Sequence, residues 1–326
     1  MKQRYGGPNM DDNRKRFLIL GLGPAGGILA AFLSAAGHAV HGVDIWEEHV
    51  ARIRADGLRI TGLYERTAVL EEIQTSIATL EHVEFDYVVV AIKASMMSHV
   101  IPDIMTLGGN FKAVALQNGI ETEEILAKQF GSDRTMRVIV NYAGVIDAPG
   151  ILRMTFFNRP NYVGCLCDGR PCERTREFAA ILTDGGLDTE ITGDLQKSTW
   201  RKTILNAALT PVCALLDMTM AQVMACPETY QLVESILEES LTVASACGHD
   251  FGEGYPAEAI AYLSGAGDHR PSMLRDLKNG RPTEIDFING KIMLHGLRLG
   301  VPVPINSTLR ALVKTLESKS LRREKT

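Results

Sequence analysis

Short apolar runs alternate with amphipathic stretches through the first half of the chain, as a parallel sheet joined by helices requires. Residues 17–20 (Phe17, Leu18, Ile19, Leu20) predict a buried strand, and 25–36, rich in Ala and Leu and stopped by Gly37, predict a helix. Residues 39–43 and 47–55 repeat the pair. Residues 86–92, centred on Val88-Val89-Val90, are apolar on both faces, like a strand at the middle of a sheet. Val114-Ala115-Leu116 is a shorter run, followed by a helix over 121–129. A strand over 135–142, edge strands at 151–157 and 162–167, and a helix over 173–183 complete the half. From about Asp194 helical periodicity takes over, at 195–209, 227–246, 257–263, 272–278 and 284–299. Thr283 with Asp286 three residues on resembles a capping box, and Pro282 stands just outside it. The pattern predicts an α/β domain over 15–190 and an all-α domain over 191–326, with no repeat or low-complexity linker. Residues 1–14, with Gly6-Gly7-Pro8 and Asp11-Asp12-Asn13, read as a disordered extension in which Met10 is an alternative start.

Composition narrows the function classes. The 34 basic and 39 acidic side chains give a net charge of -5, which removes the general electrostatic case for nucleic-acid binding. Arg322-Arg323 with Lys325 reads as a solvated tail. Six cysteines in 326 residues are too few for a disulfide scaffold, which points to a reducing cytosol. No apolar run approaches the roughly 20 residues of a membrane span, and no signal peptide is visible. A cytoplasmic protein with no membrane partner is expected.

Gly21-Leu22-Gly23-Pro24-Ala25-Gly26 fits G-x-G-x-x-G between a predicted strand and helix. Its first glycine would make the tight turn, its second would admit a pyrophosphate to the backbone, and its third would let helix and strand pack closely. Gly21, Gly23, Pro24, Ala25 and Gly26 are therefore candidate cofactor residues in a Rossmann-type dinucleotide-binding domain. Asp44 lies 23 positions after Gly21, at the end of the second strand, where an acid accepts hydrogen bonds from an adenosine ribose. The plain alternative is a surface Asp opening the next helix. A ribose-binding carboxylate would repel a 2′-phosphate, and Ile45 and Trp46 supply no cation, so NADH is favoured over NADPH.

Sheets of this kind bind ligands at the carboxyl ends of their strands. The third apolar strand ends at Lys93 and the next at Gln117-Asn118-Gly119, which puts Lys93 and Asn118 near the nicotinamide end of a cofactor. Alternatively Lys93 begins a helix and Asn118-Gly119 is a plain turn. In the second half Ser198, Lys202, Asn206 and Thr210 recur every four residues on one helix face. Such a row is usually solvated. Here Ile204, Leu205, Ala207, Ala208 and Leu209 make the helix apolar, so Lys202 is expected to be partly buried, with Pro211 ending or kinking the helix.

The glycine turn, Lys93, Gln117-Asn118-Gly119, Trp200-Arg201-Lys202 through Asn206, and Ser272-Met273-Leu274-Arg275-Asp276 leading to Thr283-Glu284-Ile285-Asp286 resemble the ketopantoate reductase (2-dehydropantoate 2-reductase) family over residues 16–316. The resemblance implies a Rossmann domain, a helical domain and a substrate bound in a cleft between them. It also implies reduction of a 2-keto acid to a 2-hydroxy acid with NAD(P)H. Lys202 matches the catalytic acid, and Asn118, Asn206, Ser272 and Glu284 match residues that orient substrate and cofactor. Hydride delivery to a 2-keto acid leaves an alkoxide, which a charged Lys202 can stabilise and protonate. Glu284 can hold that ammonium or a substrate hydroxyl, while Ser272 and the Asn amides grip the carboxylate.

Two departures from the family pattern concern the substrate pocket: Thr210 stands for a second Asn, and Met220 for another. A third departure is Asp44-Ile45, where many members carry an Arg for the 2′-phosphate. Thus 2-dehydropantoate and a related 2-keto acid both stay open as substrates, and a homodimer is compatible with the chain. A methyltransferase is disfavoured by the third glycine and the helical half. A non-catalytic nucleotide sensor is disfavoured by the joint presence of Lys202, Asn206, Ser272 and Glu284. Cys165, Cys167 and Cys172 match no zinc spacing and the eight histidines form no ligand motif, so no metal is expected. His295 is read as structural, and Met96, Met97 and Met105 as packing a helix on the sheet.

Overall fold

The computed structural model describes residues 14–80, 83–166 and 172–323. The predicted extension, apart from Arg14, lies outside these residues, as do Cys167, Lys325 and the side chains of Arg322 and Arg323. By contacts the described chain divides into two compact units. The first holds the α/β half as far as Leu195. The second holds the helices from Gln196, together with Lys93–Ser95 and Asn118–Thr122.

The first unit alternates β1 (Arg16–Leu20), α1 (Pro24–Ala35), β2 (Ala39–Val43), α2 (Glu47–Asp56), β3 (Leu58–Gly62), β4 (Arg66–Ala68), β5 (Glu72–Gln74), β6 (Tyr87–Val90), α3 (Met97–Thr106), β7 (Lys112–Ala115), α4 (Thr122–Phe130), β8 (Thr135–Ile139), β9 (Tyr142–Ala148), β10 (Ile151–Phe157), β11 (Asn161–Cys165), α5 (Glu173–Asp184) and β12 (Thr189–Ile191). Eight strands form one sheet in the order β12-β11-β8-β7-β6-β1-β2-β5. Pairing is parallel from β8 to β5, and β11 joins β8 antiparallel. The all-apolar β6 lies inside this sheet with every residue buried, the reason its sequence does not alternate.

A second sheet, ordered β4-β3-β10-β9, was not legible in the sequence. Its strands β3 and β4 are short, with exposed charged positions such as Arg59. Three expectations are corrected by the structure. The run 135–142 is divided between β8 of one sheet and β9 of the other. Neither β10 nor β11 is an edge: β10 pairs with β3 and β9, and β11 with β8 and β12. Of the three methionines only Met97 is buried, Met96 and Met105 being exposed.

The helices of the second unit are α6 (Leu195–Leu216), α7 (Met220–Ala225), α8 (Pro227–Ala246), α9 (Tyr255–Ser264), α10 (Ser272–Lys278), α11 (Asn289–Leu299) and α12 (Pro304–Arg323). They enclose their own apolar core around Trp200, Ile204, Leu237 and Ile292. Pro211 does not end α6, which continues for five residues beyond it. Proline offers no N–H to the carbonyl four residues back, here that of Ala207. The buried Asn289 supplies the missing donor, its Nδ2 lying 3.2 Å from Ala207 O and 2.9 Å from Asn306 Oδ1. Asn289→Ala should cost about 1–3 kcal/mol by orphaning that carbonyl. Denaturant midpoints measure this loss, and adding Pro211→Ala, which restores a backbone N–H, should recover part of it.

The helix expected from Glu284 begins only at Asn289, and residues 285–288 form a turn before it. No capping box forms. The Thr283 hydroxyl donates to Glu317 Oε1 at 2.5 Å and accepts from Ile285 N–H, while Asp286 pairs with Arg310 and Lys314. Glu317, Arg310 and Lys314 all come from α12, which no local sequence rule brings to this turn.

Candidate functional site

The glycine turn leaves β1 through Gly21, whose φ of +94° a side chain would strain. Gly21 N–H donates to Val43 O at 2.8 Å, tying the turn to the end of β2. A Cβ on Gly26 would lie 2.0 Å from Gly21 O and 2.7 Å from Ala91 Cβ, so this position admits glycine alone. A Cβ on Gly23 would meet nothing within 4 Å. Pro24 opens α1 and no side chain caps it, which leaves the first N–H groups of the helix able to receive an anion. Ala25 carries its carbonyl to the Tyr142 hydroxyl, 2.8 Å away. The arrangement fits a dinucleotide diphosphate: the crowded glycines shape the turn, and the uncrowded one faces open space.

Asp44 is more than a surface residue opening α2. Its Oδ2 accepts from Leu22 N–H at 2.8 Å and its Oδ1 from Trp46 N–H at 3.0 Å, so it joins the glycine turn to its own loop. Each oxygen keeps a lone pair for a ribose hydroxyl. Ile45 beside it is 86% exposed, and Arg54 is committed to Ile73 O and Gln74 Oε1. Buried His49, which sequence reasoning missed, completes the loop. Its Nδ1 accepts from Gly150 N–H at 3.0 Å, which leaves Nε2 to donate to Leu22 O at 3.1 Å.

Two candidates from the strand ends belong by contact to the helical unit. Lys93 Nζ lies 2.5 Å from Asp276 Oδ2, and Asn118 Nδ2 donates to Glu284 Oε2 at 3.0 Å. Lys93 does not itself begin a helix; a short 3₁₀ turn separates it from α3. Burial pulls the Lys93 ammonium down, but Glu284 and Asp276 outweigh it and the net shift is upward, which holds the lysine charged. Burial also raises the Asp276 carboxyl against the pull of Lys93. In the sequence Arg275 and Asp276 stood only as part of the stretch resembling the family, with no role assigned to either.

The segment carrying Asn118 is held closely. Gly119 approaches so near that a Cβ would lie 2.4 Å from Phe287 O, and Ile120 N–H donates to the same oxygen at 3.0 Å. Glu121, with φ at +65°, stands outside α4 and pairs with Lys291 and with His295 Nε2, so the expected helix start shifts to Thr122. Burial works against the Glu121 carboxylate, but Lys291 and His295 bring its net pKa below the ordinary value. His295 also meets Trp200 edge-on at 5.4 Å, a structural placement.

Along α6, Ser198, Lys202 and Asn206 are half-buried and Thr210 is buried, so the row is not a solvated stripe. Thr210 Oγ1 donates to Asn206 O at 2.8 Å and lies 4.0 Å from Met273 Sδ, leaving only acceptor capacity toward a ligand. Ser272, the first residue of α10, is exposed. Met220 is half-buried, and its N–H donates to His269 O. Among the described residues no group of three or more His, Cys, Asp or Glu could hold a metal ion, and no helix is long and apolar enough to cross a membrane.

Residues 17–167 match the family model described as ketopantoate reductase PanE/ApbA, and residues 194–317 match its C-terminal counterpart. The chain belongs to the ketopantoate reductase family. The 2-dehydropantoate 2-reductase of Archaeoglobus fulgidus is 28% identical over 93% of this chain and 98% of its own. That of Streptococcus pyogenes is 27% identical over 92% and 97%. Among solved structures, D-mandelate dehydrogenase with NADH and anilino(oxo)acetate aligns with a TM-score of 0.85 and 26% identity over 94% of this chain and 99% of that one. A ketopantoate reductase from Ralstonia eutropha JMP134 gives 0.83 and 25% over the same shares. The family membership makes this chain an NAD(P)-dependent oxidoreductase acting on CH–OH groups, a reductase of 2-keto acids.

Proposed function

We propose that the protein reduces a 2-keto acid to the 2-hydroxy acid with NADH, the substrate being 2-dehydropantoate or a close chemical relative. The observation that carries this reading is the half-buried Lys202, one helical turn before Asn206 on α6, in a chain of the ketopantoate reductase family. A bound nicotinamide dinucleotide supplies the hydride. Lys202 holds and protonates the substrate oxygen as charge develops there. Asn206 and Ser272 orient the carboxylate, Asn118 and Glu284 position substrate and cofactor, and Lys93 adds a fixed positive charge beside Glu284. Gly21, Gly23, Pro24, Ala25 and Gly26 are proposed to hold the diphosphate, and Asp44 the adenosine ribose.

Thr210, bonded within its own helix, and Met220 supply fewer amide donors than the family pattern, which favours a substrate less hydroxylated than 2-dehydropantoate. The solved neighbour that carries anilino(oxo)acetate supports this wider substrate range. The small number of cysteines supports a cytoplasmic location. A panel of 2-keto acids with NADH, followed by its absorbance, tests the reading: turnover of at least one acid is expected, and none with any would reject it. On the same panel NADH should exceed NADPH at least about tenfold in kcat/KM, since an unpaired 2′-phosphate beside the Asp44 carboxylate costs upward of about 1.4 kcal/mol. A preference for NADPH would remove Asp44 from this role.

A further inference from the structure

We propose that Arg275 is the receptor for a carboxylate of the substrate and so sets the preference for acidic substrates; this rests on the 2-keto acid reading above. Arg275 sits on α10, three residues after Ser272 and one before Asp276, so all three share one helix face. Asp276 on that face is engaged by Lys93. The side chain of Arg275, half-buried, has no hydrogen-bond or ion-pair partner among the described residues, although a guanidinium carries five N–H donors. A guanidinium whose donors meet only solvent can exchange that water for an incoming carboxylate. Its charge acts on Lys93, Asp276 and His269, which places it within electrostatic range of the pair beside Glu284.

The neighbouring charges indicate what the anion is not. Lys93 is claimed by Asp276 and lies under the influence of Glu284, so the acids of the cluster already have a cation. Arg275 remains for an incoming group. The planar fork of a guanidinium matches a carboxylate in two parallel hydrogen bonds, and the Ser272 hydroxyl one turn earlier can add a third. In a 2-keto acid the carboxylate beside the carbonyl is one source of that group, and a second carboxylate at the far end of a dicarboxylic substrate is another.

Steady-state kinetics of the full chain and Arg275→Gln, with monocarboxylic and dicarboxylic 2-keto acids, separate the sources. Binding of oxamate, an unreactive 2-keto acid mimic, to the NADH-loaded protein is measured alongside. KM and the oxamate Kd should rise about 10- to 100-fold, with kcat and NADH affinity nearly unchanged. Arg275→Lys should recover part of the loss, and added guanidinium should partly rescue Arg275→Ala. A rise for every acid assigns Arg275 to the carboxylate next to the carbonyl, and a rise confined to dicarboxylic acids assigns it to the distal one. Unchanged KM and oxamate affinity, with an unchanged melting temperature, would overturn the proposal. Absence of turnover in the wild-type chain would reject the reductase reading, while oxamate affinity would still report on Arg275.

Discussion

Replacing Lys202 with Ala should lower turnover about 10²–10⁴-fold while leaving NADH affinity unchanged. The size follows from what the side chain is asked to do. Hydride arrival at a carbonyl carbon leaves full charge on oxygen, and a positioned ammonium both stabilises that charge and donates the proton. Lys202 suits the task because α6 holds it half-buried in an apolar stretch, where the field of a cation is less screened than in water. Lys202→Arg separates the two contributions. The guanidinium keeps the charge but does not surrender a proton at working pH, so kcat should remain depressed even if substrate still binds. Fluorescence titration with NADH checks that the cofactor is held equally well in all three proteins. Near-normal kcat in Lys202→Ala would remove this residue from the chemistry.

Gly23→Ala and Gly26→Ala should fail in opposite ways. At Gly26 the new methyl would stand 2.0 Å from Gly21 O, against backbone that cannot swing aside. Overpacking of this kind costs about 1–3 kcal/mol or more, so the variant should melt earlier and bind cofactor poorly. At Gly23 the methyl meets no protein atom within 4 Å, so stability should change by less than about 0.5 kcal/mol. Its cost should appear in NADH affinity, by about 10- to 100-fold, because it would fill the space proposed for the diphosphate beside the helix start. Calorimetric melting and NADH titration of the two variants distinguish turn geometry from ligand contact. Equal cofactor affinity in Gly23→Ala and wild type would put the diphosphate elsewhere.

What could be read from sequence follows the range of the forces involved. Buried strands β1, β2 and β6 and the long helices α6 and α8 were legible because burial on both faces, or along one stripe, writes a local period. The second sheet was hidden because β3 and β10, its parallel partners, stand some 90 residues apart and β3 is short and half-polar. Distance also hid the partners of the candidate residues. Nothing near Lys93 in sequence points to Asp276, nor near Asn118 to Glu284. The late start of α11 has the same origin, since Thr283 answers to Glu317 rather than to its own helix. Pro211 read as ending or kinking its helix because its compensation, Asn289, lies far along the chain and beyond any local pattern. The glycine turn was legible as a motif, but which glycine serves packing and which leaves room for ligand needed coordinates.

Hydride transfer to the carbonyl carbon of a 2-keto acid carries an isotope label into the product. The chain is incubated with a turned-over 2-keto acid and NADH deuterated at the transferable position of C4, and the product is examined by mass spectrometry. One deuterium at C2 of a 2-hydroxy acid is the predicted result. NADH binding with no labelled hydroxy acid from any acid tried would contradict the account and leave a nucleotide-binding protein without this chemistry.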